Sequence, residues 1–393
     1  MQQLVDEKVV NFGSQVDAAT IEQAKQTAEL PFVYPYVALM PDAHLGKGAA
    51  VGSVIPTIGA VIPAAVGVDI GCGMIAARTR FIADAIAGRD TAQLRRSIES
   101  AIPLSPGRYN KSLRRFEFTR ERLERLEQLA ADDRVNLSHS PNWKLQLGTL
   151  GGGNHFIELC IDRDHTVWMF LHSGSRGVGH KIAMHHIRVA QQWCRDRRIT
   201  LPNADLAYLE EDTVEFDRYI RELRWAQKFA LANREEMMDR FRQVFARWMR
   251  ADPEDVEVER INTHHNYTQP EHHADTDVWL TRKGAINAHR GVMGVIPGSM
   301  GTRSYIVRGK GNSASLCSAP HGAGRRFSRS EARRRFTAAD LAKRMNGIEY
   351  RHGEAWVDEI PDAYNPIDIV MEDSKDLVEV VTHLRQVVNV KGT

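Results

Sequence analysis

Val66-Gly67-Val68-Asp69-Ile70-Gly71-Cys72-Gly73 sets a carboxylate and a thiol three residues apart on a backbone freed by three glycines. Glycine lets the chain bend through positive φ and lets a ligand approach the backbone closely, so Asp69 and Cys72 can both face one ion. A thiolate beside a carboxylate suits a borderline transition metal better than magnesium or calcium. The competing reading is a glycine-rich turn with a capping aspartate and a buried thiol, free cysteine being among the most buried residue types. What leads into the stretch is the most apolar region of the chain, residues 48–68, which Pro56, Pro63 and several glycines cut into β-branched pieces. These pieces are expected to be buried strands, 51–55 and 60–62, that deliver the chain to Asp69, and not a membrane span.

At 393 residues the chain can bury a large core in one elaborate domain or two ordinary ones. Its 52 basic and 50 acidic residues leave a formal charge of +2, which excludes a globally basic nucleic-acid coat but permits a local patch. Cys72, Cys160, Cys194 and Cys317 lie far apart with no CxxC pair. That argues against a disulfide framework and for a reducing compartment, the cytoplasm. The first eight residues carry Asp6 and Glu7 where an export signal needs a basic start and an apolar run, so no export is expected.

Several other glycine-punctuated segments carry reactive side chains. Met40-Pro41-Asp42-Ala43-His44-Leu45-Gly46-Lys47-Gly48 reads as a loop holding an acid, an imidazole and an ammonium group, either a surface turn or a site if it lies beside Asp69 and Cys72. Leu147-Gly148-Thr149-Leu150-Gly151-Gly152-Gly153-Asn154-His155 feeds an Asn-His pair into a strand-like run, a glycine density that suits a closely approaching ligand or a flexible loop. A strand at 166–171 ends in His172-Ser173-Gly174-Ser175-Arg176-Gly177 before a helix at 178–199, a junction suited to an anion. Residues 112–131 read as a scaffold helix. Residues 205–250 read as an antiparallel helix pair inserted between the site loops, with no chemistry of its own.

Histidines at 264, 265, 272, 273 and 289 crowd together, with His321 beyond. Adjacent side chains on an extended segment point to opposite faces, so at most one of His264 and His265 should reach a given ion. The small-residue loops at 294–305 and 317–326 offer hydroxyls and backbone donors suited to phosphates. Arg325, Arg326, Arg329, Arg333, Arg334 and Arg335 stand against one glutamate, Glu331. They form either a polyanion-binding patch or the solvated face of a helix at 331–345. Residues 374–388, capped by Asp373 or Ser374, read as a helix with Leu377, Val380, Val381 and Leu384 as its buried stripe. Lys391 follows an apolar run that should pack the tail down.

The blocks PDAHLGKG, GVDIGCG, GGGNHFIE, HSGSRG, HHNY, PGSMGT, HGAGR and the terminal VNVKG stand in an order that resembles the RtcB family of RNA ligases, most of all its bacterial members. The resemblance covers nearly the whole chain. It implies a mixed α/β (α+β) fold, a single domain over 1–393 with strand-borne active-site loops and a helical insertion at about 203–252. It implies that Asp69, Cys72, His155, His172 and His265 hold two Mn²⁺ ions, with the thiolate shared between them; position before the asparagine favours His265 over His264.

By the same resemblance a guanylate pocket for GTP comprises Asn154, His155, Phe156, Ile157, Glu158, His265, Asn266, Pro297, Gly298, Ser299, Met300, Ser304, His321, Gly322, Ala323, Gly324 and Lys391. His321 is implied as the guanylylated nucleophile, and Asp42 as a base or orienting group in the last step. The implied substrate is RNA with a 2′,3′-cyclic phosphate or 3′-phosphate end and a 5′-hydroxyl end, as in tRNA splicing or RNA repair, with an archease-like activator as a possible partner and no membrane. Two rivals remain. A metal-dependent cyclic phosphodiesterase or phosphatase would need the metal cluster but not the His321 loop or Lys391, and a non-catalytic RNA-binding protein would need the arginines alone.

Overall fold

Two sheets carry the site, in a computed structural model that describes residues 3–393; the reading of the first two residues lies outside it. Seven strands form one sheet in the order Glu257–His264, Gly73–Ile82, Thr166–Ser173, Phe156–Asp162, Val378–Lys391, Ser304–Gly309, Met293–Ile296, each antiparallel to its neighbour. Six form the other: Gln3–Asp6, Val9–Asn11, Val37–His44, Val51–Thr57, Thr276–Lys283, Asn266–His273, with one parallel pairing, between Val9–Asn11 and Val37–His44. This is the expected mixed α/β class.

Side chains alternate across a strand, and both faces of the seven-stranded sheet are covered. From Gly73–Ile82, Ile75 and Ala77 pack with Phe241 and Phe245 of a long helix, while Met74 and Ala76 join Phe170, Val295, Ile306 and Leu384 on the other side. A strand buried on both faces reads as a continuous apolar run, which is why Met74, Ile75, Ala76 and Ala77 are all apolar. The register then gathers the reactive loops. Gly73 stands opposite Ser173 and His264, His172 opposite Met74 and Phe156, and Phe156 opposite Lys391. Cys72, His155, His172 and Lys391 therefore share one end of the sheet. The two sheets meet there, because His265 is the single residue between Glu257–His264 of one and Asn266–His273 of the other.

Several expectations change. The helix pair is one 36-residue helix, Val214–Met249, preceded only by a 3₁₀ turn, Ala204–Leu206, and a two-residue strand, Leu209–Glu210. Its two apolar faces are successive contacts with different cores: Phe216, Ile220 and Leu223 join one cluster, Phe241, Val244 and Phe245 another. Residues 374–388 are not helical; Val378–Lys391 is a 14-residue strand, and Asp373 ends the helix Ile367–Asp373. Leu377 and Leu384 are buried as expected, but Val380 is 42% exposed. The valine-rich composition suits the pleat, and spacing alone did not separate the two periods. Asp42 lies in the strand Val37–His44 and not in a loop. The second expected strand stops at Val61, so a helical turn, Pro63–Val66, delivers the chain to Asp69. The basic segment makes two short helices, Arg329–Arg335 and Ala338–Arg344.

The strand assignment has a direct test in urea unfolding. Leu384→Ala should cost about 2–5 kcal/mol, whereas Val380→Lys should stay within about 0.5 kcal/mol of the wild type; equal large losses would restore the helical stripe.

Candidate active site

Cys72 Sγ lies 3.4 Å from His155 Nε2 and 3.2 Å from His172 Nε2. His172 Nε2 is 3.0 Å from His265 Nε2, and His155 Nε2 is 3.1 Å from Asp69 Oδ2. Donor atoms thus fall into two groups that share the thiol: Asp69, Cys72 and His155, and Cys72, His172 and His265. The Nδ1 atoms face oxygens: Leu150 O at 2.9 Å for His155, Asn154 O at 3.3 Å for His172, and Asn266 Oδ1 at 3.2 Å for His265. For His172 and His265 those contacts assign the ring proton to Nδ1 and leave an Nε2 lone pair facing the cluster, while His155 Nε2 also faces the Asp69 carboxylate. Arg176 Nη1 is 3.2 Å from His155 Nδ1, but it can only donate, and the shorter contact to a carbonyl decides the tautomer.

The electrostatics suit a cation. Burial, then the neighbouring His155, hold His172 well below the usual imidazole range; burial, then His321, do the same for His265. Burial would raise the Asp69 carboxyl, but the hydrogen bond and charge of His155 and the charge of Arg176 hold it at about 2. Burial and the Asp69 charge push the Cys72 thiol well above its ordinary range. Neutral imidazoles at His172 and His265, an ionised carboxylate and a thiol with no nearby cation strong enough to ionise it fit soft-to-borderline divalent ions, which would draw off the thiol proton.

Beside this cluster opens a cavity of about 380 Å³. His321 enters it after the short strand Ser318–Pro320, with its ring centroid 4.7 Å from that of His265 and its Nδ1 2.7 Å from Asp42 Oδ2. The same Asp42 oxygen accepts hydrogen bonds from the backbone N–H groups of His321 (3.1 Å) and Gly322 (3.0 Å). Asn154, Phe156, Glu158, Asn266, Pro297, Gly298, Ser299, Met300, Gly322, Ala323, Gly324 and Lys391 also line the cavity. Three expected pocket residues do not: His155 stays in the thiol cluster, Ile157 points into the core behind the sheet, and Ser304 Oγ receives Gly298 N at 3.4 Å, bracing that loop.

A family model described as tRNA-splicing ligase RtcB matches residues 23–392. The chain belongs to the RtcB family. It is 45% identical to the RNA-splicing ligase RtcB of Escherichia coli K12, over 97% of this chain and 96% of that relative. The tRNA-splicing ligases RtcB of Nanoarchaeum equitans (29% identical; 95% and 91% covered) and Pyrobaculum aerophilum (30%; 90% and 86%) are also similar over nearly their whole lengths.

In this RtcB chain the long helix is part of the site, contrary to the expectation that it carries no chemistry. Asn233 Oδ1 accepts Gly148 N at 2.7 Å, and its Nδ2 donates to Gly174 O at 3.1 Å. Arg234 donates to Gly71 O (2.7 Å), Ser173 O (3.1 Å) and Asn262 Oδ1 (2.7 Å), and its Nη2 lies 3.1 Å from His264 Nδ1. One helical turn thus ties the Asp69–Cys72 turn to two histidine loops. The clue was available: Asn233 interrupts the apolar run Ala226, Phe229, Ala230, Met237 at helical spacing. His264 turns away from the cluster onto Gly71 O at 2.8 Å, so of the adjacent pair only His265 reaches it. Glu359 was also missed; it lines the cavity and accepts Lys391 Nζ at 2.8 Å. Burial raises Glu158 to about 8 despite the opposing charge of Lys391, and Asn389 donates to it at 2.7 Å.

Burial, aided by Arg234, lowers His264 from 6.5 to about 3. The folded chain then binds fewer protons there than the unfolded chain, so this stability is complete above pH 6.5 and is lost as pH falls toward 3. In metal-free protein, His264→Gln should lower the slope of unfolding free energy against pH in that window by up to about 1.4 kcal/mol per pH unit; an unchanged slope would contradict the assignment.

Proposed function

We propose that this chain is a GTP- and Mn²⁺-dependent RNA ligase that joins a 2′,3′-cyclic phosphate or 3′-phosphate end to a 5′-hydroxyl end. The observation that carries the reading is the placement of His321 between Asp42 and His265 in a cavity that Lys391 also lines. A phosphodiesterase needs only the thiol cluster, and an RNA-binding protein needs neither. The whole of 1–393 acts as one catalytic domain in this reading, and the cytoplasm is its compartment.

Asp69, Cys72, His155, His172 and His265 would hold the two ions, whose chemistry when bound is to neutralise phosphate oxygens. Asp42 fixes His321 Nδ1, leaving Nε2 to attack the α-phosphate of GTP; the P–N bond forms as the P–O bond to pyrophosphate breaks. Water opens the cyclic phosphate to a 3′-phosphate, whose oxygen takes the guanylate from Nε2 and gives RNA(3′)pp(5′)G. The 5′-hydroxyl then attacks the RNA phosphorus and GMP leaves. Asp42 is thus an orienting residue for the nucleophile, and its unpartnered buried Oδ1 is compatible with a further role as base in the last step.

The arginine patch contributes less free charge than its composition suggests. Arg329 and Arg333 pair with Asp358, Arg325 with Glu359, and Arg335 with Glu331. Arg326 and Arg334 are exposed and remain the natural phosphate contacts.

The test separates the steps. His321→Ala should neither label itself with GTP nor join ordinary ends, yet should join RNA that already bears the 3′ guanylate cap. Asp42→Ala should label itself at least tenfold more slowly than the wild type. Failure of His321→Ala on pre-capped RNA, with metal and RNA binding intact, would contradict a role confined to the nucleophile.

A further inference from the structure

Away from the cavity, the strand Asn266–His273 carries a second set of donors at its far end. Glu271 and His273 lie five and seven residues beyond Asn266, on the order of 20 Å along the strand at ~3.3 Å per residue. His289 reaches them from the turn after the short strand Ala285–Asn287. We propose that Glu271, His273 and His289 form a separate zinc-type site that clamps the segment leading to His321.

His273 Nε2 stands 2.9 Å and His289 Nε2 3.9 Å from Glu271 Oε2, and all three donor atoms lie within 4.8 Å of one another. Around a tetrahedral zinc with bonds of about 2.0–2.2 Å, neighbouring donors stand roughly 3.3–3.5 Å apart, so the two distances bracket the required span. The surroundings aim the donors. His289 Nδ1 is 2.7 Å from Asn287 Oδ1, which assigns its proton to Nδ1 and directs the Nε2 lone pair at Glu271. Arg282 holds the far carboxylate oxygen, Nη1 to Oε1 at 2.5 Å, and also reaches Oε2 with Nη2 at 3.1 Å.

Burial would raise Glu271, but the His273 hydrogen bond and Arg282 keep it ionised, at about 2. Burial keeps His289 below its ordinary value and hence neutral near pH 7. A buried Glu271–His273–Arg282 network would explain the first two residues without a metal. It gives no reason for His289 to present a lone pair to the same oxygen. Two imidazoles and one carboxylate, with the fourth position open, match zinc sites that keep an exchangeable ligand. The His289 side chain is 44% exposed, which provides the entry path.

The consequence follows from what Arg282 and Asn287 touch. Arg282 donates to Ser318 Oγ (2.8 Å) and to the carbonyls of Leu316 and Cys317 (3.4 Å each). Leu316 and Cys317 are both left-handed, at φ 52° and 51°, a conformation their side chains disfavour. Asn287 pairs with Ser318 in the ladder that ends at Pro320, one residue before His321. An ion here locks that turn from its outer side.

Zinc titration of the full-length protein by equilibrium dialysis tests the site. The wild type should bind one zinc more than His289→Ala, and zinc should raise the melting temperature of the wild type more than that of the variant. His289→Ala should still label itself with GTP, since His289 lies outside the cavity, and Cys72→Ala should keep the zinc that His289→Ala loses. Equal zinc counts in the wild type and His289→Ala would overturn the proposal, as would loss of that ion in Cys72→Ala.

Discussion

A buried thiol facing three imidazoles is the arrangement on which the rest of the site depends. Cys72 Sγ lies within hydrogen-bonding range of His155 and His172, and His172 Nε2 within range of His265 Nε2, so donor atoms crowd the centre of the cluster. Such a group is unfavourable in a low-dielectric interior unless a cation enters it. The loops that hold it are accordingly tied from behind: Asn233 and Arg234 on Val214–Met249 and the backbone of Asn266 restrain Gly71, Gly148, Ser173 and Gly174 before any ion arrives. Preorganisation of this kind lowers the cost of collecting five ligands from four separate stretches of chain.

The glycines of these loops have steric reasons to be glycines. A Cβ on Gly73 would meet Thr263 O at 1.9 Å, and one on Gly174 would meet Asp69 Oδ1 at 2.2 Å. Both contacts are with parts of the site itself, so the close approach that sequence suggested is an approach of one site loop to another. His321 reaches the cluster by a different route, from the ladder of Ala285–Asn287 with Ser318–Pro320, and Asp42 in the second sheet accepts its backbone N–H and stands 2.7 Å from its ring Nδ1. His321 therefore comes from a two-stranded ladder and the thiol cluster from the end of the seven-stranded sheet, and His265, at the junction of the seven- and six-stranded sheets, lies against both.

Most reactive residues were legible in the sequence because each stands in or beside a glycine-punctuated segment whose polar groups are unusual in a core. Cys72, His172 and His321 needed no tertiary information to be singled out. What braces them was not legible. Arg234 and Glu359 sit in segments whose composition resembles any charged helix or turn, and their meaning comes from contacts across long sequence distances. The helix pair was misread because two apolar faces suggested two helices, although residues 214–249 contain neither glycine nor proline to end one. The terminal strand was misread because Leu377, Val380, Val381 and Leu384 satisfy a helical stripe, while its β-branched valines favoured the pleat.

The proposed sharing of the Cys72 thiolate between two metal ions is tested most directly by electron paramagnetic resonance of the Mn²⁺-loaded protein. The wild type should give the spectrum of an exchange-coupled manganese pair, and Cys72→Ala should lose that spectrum together with the bound metal. Two uncoupled ions in the wild type, or a coupled pair that survives in Cys72→Ala, would contradict the claim.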